Sequence, residues 1–87
     1  MDIERLLSSK GRVKILRLLL DRGQLNISRI IRETGLHHKL VVKHLNELID
    51  MGLVVERRYG RMRLFEADLT NPKISAIREI LRELERL

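Results

Sequence analysis

Eighty-seven residues make one small domain with room for a single core. An apolar share of 44% argues against disorder, and no apolar run is long enough to span a bilayer. The absence of cysteine excludes disulfides, thiolate metal sites and cysteine nucleophiles, while a formal charge of +6 favours a polyanionic partner.

The basic excess is spread along the chain, and residues 57–63 form its one dense, uncompensated cluster. Thirteen arginines against five lysines, with no cysteine and one glutamine, lean toward a thermophilic source. The first residues, MDIERLLSS, lack the basic-then-apolar layout of a secretion signal, so the expected compartment is the cytoplasm.

Residues 2–7 predict a short helix capped by Asp2, with Ile3, Leu6 and Leu7 as its apolar edge. Ser8 or Ser9 caps a second helix that runs to about Asp21 and stops at Gly23. Within it Val13, Ile15, Leu16, Leu19 and Leu20 supply core, and Lys10, Arg12, Lys14 and Arg17 are expected to stay in water. Gln24 and Leu25 read as a short extended link able to pair with a later strand. Asn26 caps a third helix, ISRIIRET, with Ile27, Ile30 and Ile31 inward.

Gly35 and Leu36 then turn the chain into the stretch 35–52, GLHHKLVVKHLNELIDMG. Its Val41, Leu45, Leu48 and Ile49 fall on one helical face. The other face starts at His37, His38 and Lys39 and continues through Val42, Lys43 and Asn46. A helix with one buried side and cations and hydrogen-bonding groups at its N-terminal end suits the major groove of DNA. Two short helices joined by a glycine turn form a helix-turn-helix pattern.

After Gly52, the run LVVERRYGRMRLFEA reads as a β-hairpin turning at Tyr59 and Gly60, anchored by Leu53, Val54, Leu64 and Phe65. A helix-turn-helix followed by a basic-tipped hairpin is a winged helix. The expected architecture is mainly α with a small hairpin, in the order α-α-(β)-α-α-β-β-α. Asn71 and Pro72 open the last helix, PKISAIREILRELERL, as N-cap and first helical position. Its stripe of Ile74, Ile77, Ile80, Leu81, Leu84 and Leu87 is expected to pair with a second copy, the other possibility being its own domain core. Residues 1–70 would then be the DNA-binding domain and 71–87 its dimerisation helix.

Lys39 and Lys43 are candidates for phosphate or guanine contact, and Val42 for a thymine methyl. Ser28, Arg29 and Arg32, on the preceding helix, are candidates for the sugar-phosphate backbone. Four arginines in seven residues (Arg57, Arg58, Arg61 and Arg63) repel one another unless an anion is near, which the minor groove or flanking phosphates would supply. Tyr59 would stack on a sugar or shape the turn. His37 and His38 are adjacent, hence about 100° apart on a helix, and no carboxylate joins His37 to His44. No metal site, cofactor or small-molecule effector is expected. His44 instead should pack beside Leu45 with one ring nitrogen bonded locally, and His37 should sit at the helix cap.

The run SSKGRVKILRLLLDRG, together with the stretch from Asn26 to the wing, resembles winged-helix transcription regulators of the ArsR type and their archaeal relatives. The matching signatures are K-G-R-x-x-I-L in the second helix, H-L-x-x-L-x-x-x-G-L-V from His44 to Val54, and the basic wing. The resemblance spans roughly residues 8–68, with the final helix in the position of the family's dimerisation helix. It implies a DNA-binding regulator. The cysteines of the metal-sensing members are missing, so that activity is not implied. Lys39, Leu40 and Val42 stand where the family commonly has Ser or Thr. The reading is a homodimeric, sequence-specific regulator of double-stranded DNA. The alternative is a winged helix used as a protein-interaction module in a transcription assembly. No nucleophile–base pair, phosphate loop or paired carboxylates point to an enzyme.

Overall fold

The computed structural model describes residues 3–87, and Asp2, the expected first cap, lies outside them. The described elements are α1 (Ile3–Leu7), α2 (Lys10–Arg22), β1 (Leu25–Asn26), α3 (Ile27–Thr34), α4 (His38–Asp50), β2 (Val54–Tyr59), β3 (Met62–Ala67) and α5 (Pro72–Glu85). This is the winged helix-turn-helix order that the sequence predicts.

The helix starts follow capping chemistry. Ser9 accepts from Arg12 N, Asn26 from Arg29 N and Asn71 from Lys73 N, so each satisfies an otherwise orphaned amide. Asn71 does more: its side-chain amide donates to the Gly52 carbonyl at 2.8 Å, tying the start of α5 to the turn that follows α4.

The three strands are antiparallel in the order β1-β3-β2. Leu25 pairs with Phe65, so the expected link does join a later strand. In the hairpin Tyr59 faces Met62, which puts the turn at Gly60 and Arg61, one residue later than expected. Gly60 has φ +62°, and among the described residues none other than glycine has positive φ. Positive φ at the first turn position alone is the signature of a type II′ turn, which wants glycine first rather than second.

Strand alternation sorts the hairpin side chains into two faces. Val54, Phe65 and Ala67 are buried against the helices. Leu64, expected as an anchor, sits on the opposite face and is only half-buried, with Ala67 filling the inward position. The core is completed by Leu6, Ile15, Leu16, Leu19, Ile30, Val41, Leu45, Leu48, Leu53, Ile74, Ile77 and Leu81. Ile27, Ile31, Val13, Leu20 and Ile49 pack only partly against it, and Leu7 is exposed.

The stripe on α5 divides. Ile74, Ile77 and Leu81 are buried in the protomer's own core, contrary to their expected place on a dimer face, because a helix this close to α2 must cover it. Ile80, Leu84 and Leu87 stay exposed.

Candidate nucleic-acid interface

The turn between α3 and α4 is built by local hydrogen bonds. Gly35 ends α3 in the left-handed region at φ +72°, and its amide donates to the Ile31 carbonyl. Thr34 is buried. Its hydroxyl donates to Ile30 O at 2.7 Å and accepts from Leu36 N at 3.2 Å, bracing both sides of the corner. His37 is the N-cap of α4, its Nδ1 accepting from Lys39 N at 3.2 Å. Thr34 was not legible as a brace, since a lone threonine at a helix end reads as solvent-facing.

On α4, Val41, His44, Leu45 and Leu48 are buried. His38, Lys39, Leu40, Lys43 and Asn46 are exposed and Val42 is half-buried. Lys39, Lys43 and Asn46 follow one another at four- and three-residue spacing, so they line a single open face. On α3, Ser28, Arg29 and Arg32 are exposed, but Arg29 Nε is held by Glu33 at 2.7 Å.

The buried side of α4 is fixed by charge as well as by packing. Arg12, expected in water, is only 9% exposed. Its guanidinium donates to Glu47 Oε2 at 3.0 Å, to the Arg5 carbonyl at 2.7 Å and to Ser8 Oγ at 3.0 Å. One side chain on α2 thus clasps the end of α1 to α4. The other Glu47 oxygen lies 3.0 Å from His44 Nδ1, which must donate, since an ionised carboxylate only accepts. The local bond expected of a His44 ring nitrogen is therefore made to Glu47, one turn ahead. Partial burial pushes the Glu47 carboxyl up, but its bonds to His44 and Arg12 outweigh this and hold it below the usual 4.5. No group of three His, Cys, Asp or Glu side chains among the described residues could hold a metal.

Gly11 completes this contact. A Cβ placed on it would meet His44 Nε2 at 2.5 Å and Cδ2 at 2.7 Å. The K-G-R signature therefore has a spatial meaning: the glycine makes room for His44 and the arginine binds Glu47.

All four wing arginines are exposed, with Tyr59 beside them. They are not an uncompensated cluster. Arg57 Nε donates to Glu66 at 2.8 Å, and Glu56 accepts from both Arg58 and Arg63. Both carboxylates lie outside the span 57–63, and strand register brings them in. Arg61, in the turn, has no ion pair among the described residues.

A profile of the bacterial ArsR regulatory-protein family matches residues 9–55, more than half of the chain. The chain belongs to the ArsR family. The matched span of this ArsR-family protein runs from the cap of α2, through the helix-turn-helix, into β2. Solved structures agree on the fold. HlyU from Vibrio cholerae superposes with a TM-score of 0.81 at 22% identity, covering 98% of this chain and 89% of that one. The reduced form of the transcriptional regulator YodB from B. subtilis gives 0.80 at 17% identity, covering 94% and 80%. A homodimeric winged helix-turn-helix DNA-binding domain from Mycobacterium bovis, a possible ArsR-family regulator, gives 0.77 at 21% identity, covering 97% and 75%. A comparison with curated protein sequences finds no match. No described helix is long and apolar enough to cross a membrane.

Proposed function

We propose that this ArsR-family protein is a homodimeric, sequence-specific DNA-binding transcription regulator. The reading is carried by one observation: α4 buries one side completely and leaves Lys39, Lys43 and Asn46 on a single open face. That face enters the major groove, with His37, His38 and Val42 at its margin. Arg57, Arg58, Tyr59, Arg61 and Arg63 of the wing follow the backbone or minor groove, and Ser28, Arg29 and Arg32 touch the sugar-phosphate chain. The face of the hairpin that carries Arg58 and Arg63 also carries the buried Val54 and Phe65, which supports wing and helix addressing one duplex.

Residues 1–70 form the DNA-binding part, and 71–87 supply the helix through which two copies meet. Ile80 and Leu84 of α5, with Leu87 just beyond its end, are the residues left for that contact, and the homodimeric relative from M. bovis supports it. Half-sites then lie about one helical turn apart, or a multiple. Selection of bound duplexes from a random pool, followed by sizing of the complex, tests the reading. A palindromic consensus held by two chains is expected, with affinity falling steeply as salt rises. Affinity that ignores salt, or a pool that yields no enrichment, would leave the protein-interaction module as the better reading.

A further inference from the structure

Three of the four wing arginines already have an anion. Arg58 and Arg63 are directly opposite across the hairpin, an arrangement that is repulsive by itself. Glu56 lies two residues before Arg58, on the same strand face. Its Oε2 accepts from Arg58 Nε at 3.0 Å and from Arg63 Nε at 2.9 Å, while its Oε1 accepts from Arg63 Nη2 at 3.0 Å. The grip on Arg63 is two-pronged, the geometry with which arginine also holds a phosphate. Arg63 is steadied further by the Phe65 ring, whose centre is 5.7 Å from its guanidinium carbon. The Glu56 side chain is largely covered, and the bonds from Arg63 and then Arg58 lower its carboxyl to about 2, so it stays charged at any physiological pH. On the other face Glu66 takes Arg57 and also Gln24.

We propose that Glu56 is a built-in phosphate surrogate: it occupies Arg58 and Arg63 in competition with DNA, leaving Arg61 as the wing arginine that engages the duplex at full strength. The proposal rests on the DNA-binding reading above. Its consequence concerns discrimination. A hairpin with four unclaimed arginines would bind any stretch of backbone. One that must surrender an internal ion pair for each phosphate gains little from generic contact, and so depends on what α4 meets in the groove.

The experiment compares the full chain with Glu56→Gln on a short duplex of arbitrary sequence, across a salt series. Glutamine keeps the size but removes the charge that holds both guanidinium groups. Affinity for the arbitrary duplex should rise roughly tenfold, and the slope of log K against log salt should steepen by about one to two, the increment for one or two further phosphates. In the original background Arg58→Gln should cost less affinity than Arg61→Gln; in the Glu56→Gln background it should cost clearly more than in the original one and remove much of the gain. Arg61→Gln should flatten the slope by about one in either background. Weaker or unchanged binding by Glu56→Gln, with the original chain binding normally, overturns the surrogate role and makes Glu56 an organiser of the wing. If that weakening reflected a misfolded hairpin, the Arg58→Gln result in the original background would still decide, since a large loss there shows an arginine already engaged with DNA. A chain that binds no duplex at any salt brings down the DNA-binding reading itself.

Discussion

Gly11 and His44 show how a single hydrogen can matter more than a helix propensity. Glycine inside a helix costs about 0.5–1 kcal/mol relative to alanine, so Gly11→Ala would stabilise an open site. Here the new Cβ would sit 2.5 Å from His44 Nε2, and His44 cannot simply swing away because Glu47 holds its Nδ1. Gly11→Ala is therefore expected to destabilise by about 1–3 kcal/mol, the usual range for overpacking. Urea unfolding measures it, and Gly11→Ala combined with His44→Ala should recover part of the loss. A single variant as stable as the parent would mean that the close approach is not real. The neighbouring Arg12 gives a second test. Arg12→Met and Glu47→Gln each strand a partner and should cost about 1–3 kcal/mol, while the double variant should cost clearly less than their sum. Additive losses would show that the two side chains act independently.

The wing makes a pH prediction at the scale of an element. Glu56 is depressed from 4.5 to about 2, so its contribution to stability is fully present above 4.5 and is lost as pH falls toward 2. Glu47, also lowered, adds in the same direction. Thermal midpoints should fall as the solution is acidified through that window, and Glu56→Gln should flatten the fall. A midpoint indifferent to Glu56→Gln would mean that the carboxylate makes no net contribution in the fold. Most elements were legible because their signals are local: Ser9, Asn26 and Asn71 are caps by chemistry, and the apolar spacing of α4 marks its inner face. The hairpin turn slipped by one residue because Tyr59 and Gly60 satisfy a glycine-second pattern, whereas the type II′ turn wants glycine first. Arg12 read as wet because its partner stands 35 residues away, a distance that periodicity does not see. The open face of α4 was legible from spacing; the neutralisation of the wing was not, since it depends on strand register.

For the whole molecule, the decisive feature is that α5 carries two interleaved sets of apolar residues, one buried and one exposed. Ile74, Ile77 and Leu81 close the protomer, while Leu84 and Ile80 remain nearly half exposed. Leu7 and Leu84 line one groove with Val13, rimmed by Lys10, Lys14 and Arg17. An apolar groove of that kind on a chain this small is a natural seat for a second copy. The two sets of residues should therefore separate in experiment. Ile77→Ala should cost about 2–5 kcal/mol of folding stability, as a buried large-to-small change does. Leu84→Glu should leave the protomer folded, with a stability change under about 1 kcal/mol, because the site already faces water. It should nevertheless shift sedimentation from dimer toward monomer. On a duplex carrying two half-sites its affinity should fall about a hundredfold or more, since the second contact is no longer tethered to the first. On a single half-site it should bind much as the parent does. A Leu84→Glu protein that still sediments as a dimer would place the interface on another surface and return α5 to a purely structural role.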